Sequence, residues 1–139
     1  MTTNTGRLFR VTRLSLLLLA CAASAAADEK EQYWLSEGGN YRVRYSSTLA
    51  PIEINRMHDW ILHVETTTGA AVDGADITID GGMPAHNHGM PTRPRVTENL
   101  GQGNYKVQGM RFHMNGEWQI TITITANDKN DSVDIVLQL

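Results

Sequence analysis

From residue 41 onward the chain falls into short runs in which apolar and polar residues alternate. Tyr41, Val43 and Tyr45 interleave with Arg42, Arg44 and Ser46, and Trp60, Leu62 and Val64 interleave with Ile61, His63 and Glu65. Ile77 and Ile79 flank Thr78, and Tyr105, Val107 and Gly109 flank Lys106 and Gln108. The clearest run is 118–125, where Trp118, Ile120, Ile122 and Ile124 are separated by Gln119, Thr121 and Thr123. A last run covers 133–139. Successive side chains of a strand point to opposite faces, so each run buries one face and wets the other.

Turn signals separate the runs: Gly69, Asp73-Gly74, Gly81-Gly82, the Gly101–Gly103 stretch, Asn115-Gly116 and Asn127-Asp128. No stretch after residue 28 carries helical periodicity. The pattern predicts an all-β domain of about six or seven strands, an immunoglobulin-like antiparallel two-sheet sandwich, with a small barrel as the rival architecture. Trp60 and Trp118, on different strands, are the natural core anchors.

The first 27 residues break this pattern. Arg7, Arg10 and Arg13 precede the apolar run Leu14–Ala20 and an Ala-rich stretch ending at Ala27. A cationic start, a short apolar core and small residues before the first acid are the parts of a secretory signal. That apolar core is far shorter than the roughly 20 residues a membrane-spanning helix needs. Leu18-Leu19-Ala20-Cys21 also resembles a bacterial lipobox, in which Cys21 would become the lipidated first residue. The expected organisation is a signal over 1–27, a polar linker over 28–39 and the β domain over 40–139. The mature protein is expected in the periplasm or secreted, with Cys21 as a possible lipid anchor to the envelope.

Removing the signal takes away three arginines and no acids, which moves the formal charge from −3 to −6. An acidic domain argues against a nucleic-acid partner. One cysteine in the whole chain excludes an internal disulfide framework, a cysteine zinc knuckle and an iron–sulfur site.

One segment has neither strand nor helix period. Residues 81–95 hold three of the four prolines, two of the five histidines and the methionines Met83 and Met90. Pro84, Pro91 and Pro94 stiffen it. If the loop is extended, His86 and His88 project to one side, flanked by Met83 and Met90. A second cluster, Met110-Arg111-Phe112-His113-Met114, precedes the turn at Asn115-Gly116. Loops gather at the ends of a sandwich, so the two clusters can meet. The candidate ligands are therefore His86, His88, Met83, Met90, His113 and Met114. Imidazole and thioether together suit copper, and zinc less well.

The plainer readings stay open. Met110 and Phe112 fit a core, methionine being a frequent gap-filler. His58 and His63, five apart on the Trp60 strand, face opposite sides and read as structural. No nucleophile with an adjacent base and no phosphate loop is present, so no enzyme is expected.

Met83-Pro84, His86, His88-Gly89-Met90-Pro91-Thr92 and Pro94, followed by Gly103, Tyr105, Val107, Gly109-Met110, Phe112, Met114, Gly116 and Trp118, resemble the YtkA-like domain family. The resemblance covers about residues 41–139. It implies a small exported bacterial β-sandwich, similar to FixH-like proteins, with a role near copper handling or respiratory-oxidase assembly. Copper proteins of the CopC type share a similar sandwich with His and Met ligands, an analogy of fold alone. Two functions follow as expectations: copper binding or delivery, with a metal ion as the partner, or a metal-free interaction module attached to an envelope protein.

Overall fold

The computed structural model describes residues 1–2 and 32–139. The signal over 1–27, Cys21 and the first part of the linker lie outside the described residues. Nine strands run in chain order: β1 Trp34–Leu35, β2 Tyr41–Ser47, β3 His58–Thr66, β4 Asp76–Met83, β5 His88–Gly89, β6 Arg95–Gly101, β7 Asn104–Met110, β8 Glu117–Ala126 and β9 Lys129–Gln138. Every pairing is antiparallel. Among the described residues there is no α-helix, and no helix is long and apolar enough to cross a membrane.

The alternation becomes the core directly. In β8, Trp118, Ile120, Ile122 and Ile124 are fully buried while Gln119, Thr121 and Thr123 between them keep partial exposure. They meet Trp60, Leu62 and Val64 of β3, Tyr105 and Val107 of β7, and Val133 and Ile135 of β9 in one hydrophobic cluster. Burying a large apolar side chain contributes about 1.5–3 kcal/mol, so this cluster dominates the favourable terms of folding.

The strands form one connected sheet in the order β1-β2-β3-β7-β6-β4-β8-β9, with β5 attached to β4. Its weakest join is a single pair, Thr78 with Arg95, between β4 and β6. The far edges return to each other: Glu37 N–H donates to Ser132 O at 2.8 Å. Asp131 of β9 accepts from Ser36 Oγ at 2.7 Å, Gly38 N at 2.8 Å, Asn40 N at 3.1 Å and Asn40 Nδ2 at 2.8 Å. Burial pushes the Asp131 carboxyl up, but those donors outweigh it and hold it well below the usual carboxylate range.

Two sequence expectations need correction. Six or seven strands in two separate sheets become nine in one sheet that curls toward a barrel. β1 and β5 are two residues long, too short for alternation to register, and β6 exposes most of its positions and so shows no apolar face. The linker expected over 28–39 is integral to the domain in its described part, because β1 pairs with β2 and Ser36 is buried against Asp131.

Gly103 fixes one crossing. Its φ is +75°, and a Cβ there would stand 2.3 Å from Val64 O. Only glycine lets the β6–β7 turn approach β3 this closely.

Candidate metal centre

The β4–β5 hairpin places the first cluster. Met83 and His88 are directly opposed, so their side chains share a face. The connection is a 3₁₀ turn over Pro84–His86, closed by Asn87 in a left-handed conformation (φ 52°, ψ 38°) whose N–H reaches Pro84 O at 3.3 Å. Proline at the start of the turn supplies the required φ and has no N–H to satisfy. Beyond His88 the hairpin continues, with Met90 N–H donating to Gly81 O at 2.8 Å.

This geometry overturns the extended loop. His86 belongs to the 3₁₀ turn and Asn87 reverses the chain, so His86 and His88 do not project together as strand neighbours. His86 is exposed and, among the described residues, its side chain has no hydrogen bond or ring contact. His88 is different. Its ring lies 6.2 Å from that of His113, edge-on at 90°. The two clusters therefore meet through these two imidazoles.

The His113 ring also packs edge-on against Trp118 at 5.4 Å. Among the described residues its buried Nδ1 has no hydrogen-bond partner. A buried polar atom left bare costs about 1–3 kcal/mol, so a bare imidazole nitrogen beside a second imidazole calls for a reason.

The thioethers divide. Met83 is 1% exposed, and its Cε lies 2.8 Å from where a Cβ on Gly116 would stand. It thus spans from the strand opposite His88 to the turn that follows His113. Met90 turns its Cε over Gly81, beside Ile120, and packs against the core. Met114 is exposed, and its carbonyl, rather than its sulfur, is engaged by Trp118 Nε1 at 3.0 Å. Met110 and Phe112 are fully buried core.

The separation of the two rings suits one shared ion. With about 2.0 Å per metal–nitrogen bond and about 1.2 Å from nitrogen to ring centre, two imidazoles on one ion have centroids at most roughly 6.4 Å apart. The observed 6.2 Å falls inside that limit. Among the described residues no three His, Cys, Asp or Glu side chains stand close enough to hold a metal. The three-histidine shell of His86, His88 and His113 is therefore not assembled. Two imidazoles meet at this end of the barrel, and the buried Met83 pairs across the hairpin from His88; imidazole with thioether is a soft set that fits copper better than a hard cation. On its outer face the hairpin borders an open polar depression with Asp80, Asn87, His88 and Gln119, which leaves His88 reachable from solvent.

The remaining histidines are occupied elsewhere. His58 Nδ1 stands 3.0 Å from Arg56 O within the core edge. On the opposite face, His63 bridges Asn104 Oδ1 at 3.0 Å and Glu65 Oε2 at 3.3 Å, and Glu65 also pairs with Arg42. Sequence reasoning missed Gly116 and the role of Trp118 as a wall for His113. The Asn115-Gly116 turn marks the place but not its use.

No curated protein and no solved structure matches this chain. The YtkA-like family profile does, over residues 36–123, from Ser36 of the Asp131 clasp through the hairpin and His113 and into β8. That span holds both clusters and most of the sheet, and by it the chain belongs to the YtkA-like family.

Proposed function

We propose that this protein is an exported copper-binding or copper-delivery domain whose site is built from His88, His113 and Met83. The observation that carries the reading is the approach of the His88 and His113 rings at the end of the barrel, with a bare buried nitrogen on His113. Met83 supports it by pairing across from His88 while its methyl lies against Gly116. His86, Met90 and Met114 stand outside this set: an exposed ring, a packing side chain, and an exposed residue whose carbonyl accepts from Trp118 Nε1. The cationic and apolar pattern over 1–27 supports export to the periplasm or beyond, and a lipidated Cys21 would hold the domain at the envelope.

The rival reading is a metal-free module that docks on an envelope protein. It is favoured by the outward-facing His86 and by the lack, among the described residues, of three close His or acidic ligands. Titration of the full chain with Cu(I) against a chromogenic chelator separates the two. One equivalent is expected in the parent and in His86→Ala, and none in the double variant His88→Ala, His113→Ala. An unchanged stoichiometry in the double variant removes the proposal, and no binding in the parent leaves the docking module.

A further inference from the structure

The chain holds nine aromatic residues, and all three tryptophans fall on one line of ring contacts. The half-buried Trp34 of β1 lies 5.5 Å from Tyr45. Tyr45 stacks on Trp60 at 4.0 Å and 17°. Trp60 lies 6.4 Å from Phe112, and Phe112 lies 5.2 Å from Trp118. Trp118 meets His113 at 5.4 Å, and His113 meets His88 at 6.2 Å. The line therefore crosses the core from the Trp34–Tyr45 face to the proposed copper site.

Core packing accounts for Trp60, Phe112 and Trp118, each fully buried. It does not account for the continuation to half-buried rings at one end and an exposed imidazole at the other. Two local features suit the line to electron movement. Trp60 Nε1 has no acceptor among the described residues, and Trp118 Nε1 donates to a carbonyl, which is a poor base. An indole oxidised in either place keeps its proton, so the vacancy stays mobile. Tyr45, by contrast, borders an open depression with Gln32 and Trp34, where a phenolic proton can pass to water. Burial holds that phenol above its ordinary value, so it stays protonated until it is oxidised.

We propose that these rings form a one-electron relay between the Tyr45–Trp34 face and the His88–His113 end. A one-electron oxidant at the His113 end takes an electron from Trp118. Trp118 is refilled from Trp60 across Phe112, whose benzene ring is too hard to oxidise and serves as a bridge. Trp60 is refilled from Tyr45, which releases its phenolic proton to water. The net change is one electron gained by the oxidant, and one electron and one proton lost by Tyr45. The natural oxidant must be a strong one-electron oxidant, of the class formed when a low-valent metal ion meets peroxide; its metal rests on the copper reading, and the relay itself does not.

The test therefore uses no copper. The full chain carrying Cys21→Ser and Asn115→Cys is labelled at the new thiol with a tris(bipyridine)ruthenium complex. Asn115 is exposed and two residues past His113. Flash excitation with hexaammineruthenium(III) as external acceptor generates ruthenium(III) at that end, and transient absorption and electron paramagnetic resonance read the radicals. A tyrosyl radical is expected in the parent. Tyr45→Phe replaces it with a tryptophan radical, and Trp60→Phe lowers the tyrosyl yield at least tenfold. Trp118→Phe serves as the second break, should Trp60→Phe not fold. No tyrosyl radical in the parent, or a yield within twofold of the parent in a folded break variant, overturns the relay. Copper stoichiometry in Tyr45→Phe stays at the parent value, so a failed relay with normal copper binding sinks only the relay. A working relay with no copper binding sinks only the copper reading.

Discussion

Replacing Asp131 by asparagine tests what closes the barrel. The two carboxylate oxygens do unequal work. Oδ2 accepts from Ser36 Oγ, Asn40 N and Asn40 Nδ2, while Oδ1 accepts from Gly38 N and Ser132 N. An asparagine amide puts an NH₂ at one of these positions, so two or three donors lose their acceptor whichever way it turns. Losing Gly38 N and Ser132 N, or Ser36 Oγ with both Asn40 donors, removes at least two bonds to a charged acceptor, which amounts to about 3 kcal/mol. That is a large share of the roughly 5–15 kcal/mol that holds a domain of this size together. It corresponds to a melting temperature lower by roughly 10–15 °C.

The pH dependence has a definite sign. Asp131 is held below its unfolded value of 3.8, so its contribution is complete above that value and is lost as pH falls toward the folded one. Urea denaturation of the full chain, followed by tryptophan fluorescence, should show a gap of about 3 kcal/mol between parent and Asp131→Asn at pH 7. The gap should stay constant down to about pH 5 and narrow below about pH 4. A gap under about 0.5 kcal/mol at pH 7, or one that does not narrow in acid, refutes the clasp.

Gly103→Ala should be among the most damaging single changes, by roughly 3 kcal/mol or more in urea denaturation, because its Cβ meets the Val64 carbonyl and its φ is positive. Wild-type stability in that variant would mean the β6–β7 turn sits farther from β3. Tyr105→Phe should lose about 1–2 kcal/mol, since its hydroxyl both donates to Val72 O at 2.6 Å and accepts from Ala75 N at 3.0 Å, and the melting temperature measures it.

Much of the fold was legible because its longest strands are one-sided. The isoleucine–threonine alternation of β8 and the Trp60 run of β3 declare their buried faces residue by residue. What stayed hidden was set by contacts distant in sequence. Ser36, Gly38 and Asn40 look like a linker until Asp131, more than 90 residues away, gathers them. β1 and β5 depend on a partner strand rather than on their own pattern. At the site, His88, His113 and Met83 were visible as residue types. The meeting of His88 with His113, and the departure of His86, depend on the 3₁₀ turn at Pro84 and on left-handed Asn87, which spacing alone does not encode.

X-ray absorption at the copper edge of the Cu(I)-loaded full chain, compared between parent and Met83→Leu, addresses the centre itself. Leucine keeps nearly the volume of methionine, so the fold should survive the exchange. The expected parent spectrum shows two nitrogen scatterers at about 2.0 Å and one sulfur at about 2.3 Å, and in Met83→Leu the sulfur shell disappears while the nitrogens stay. A parent spectrum with no sulfur shell, or a sulfur shell that persists without Met83, contradicts a centre made of His88, His113 and Met83.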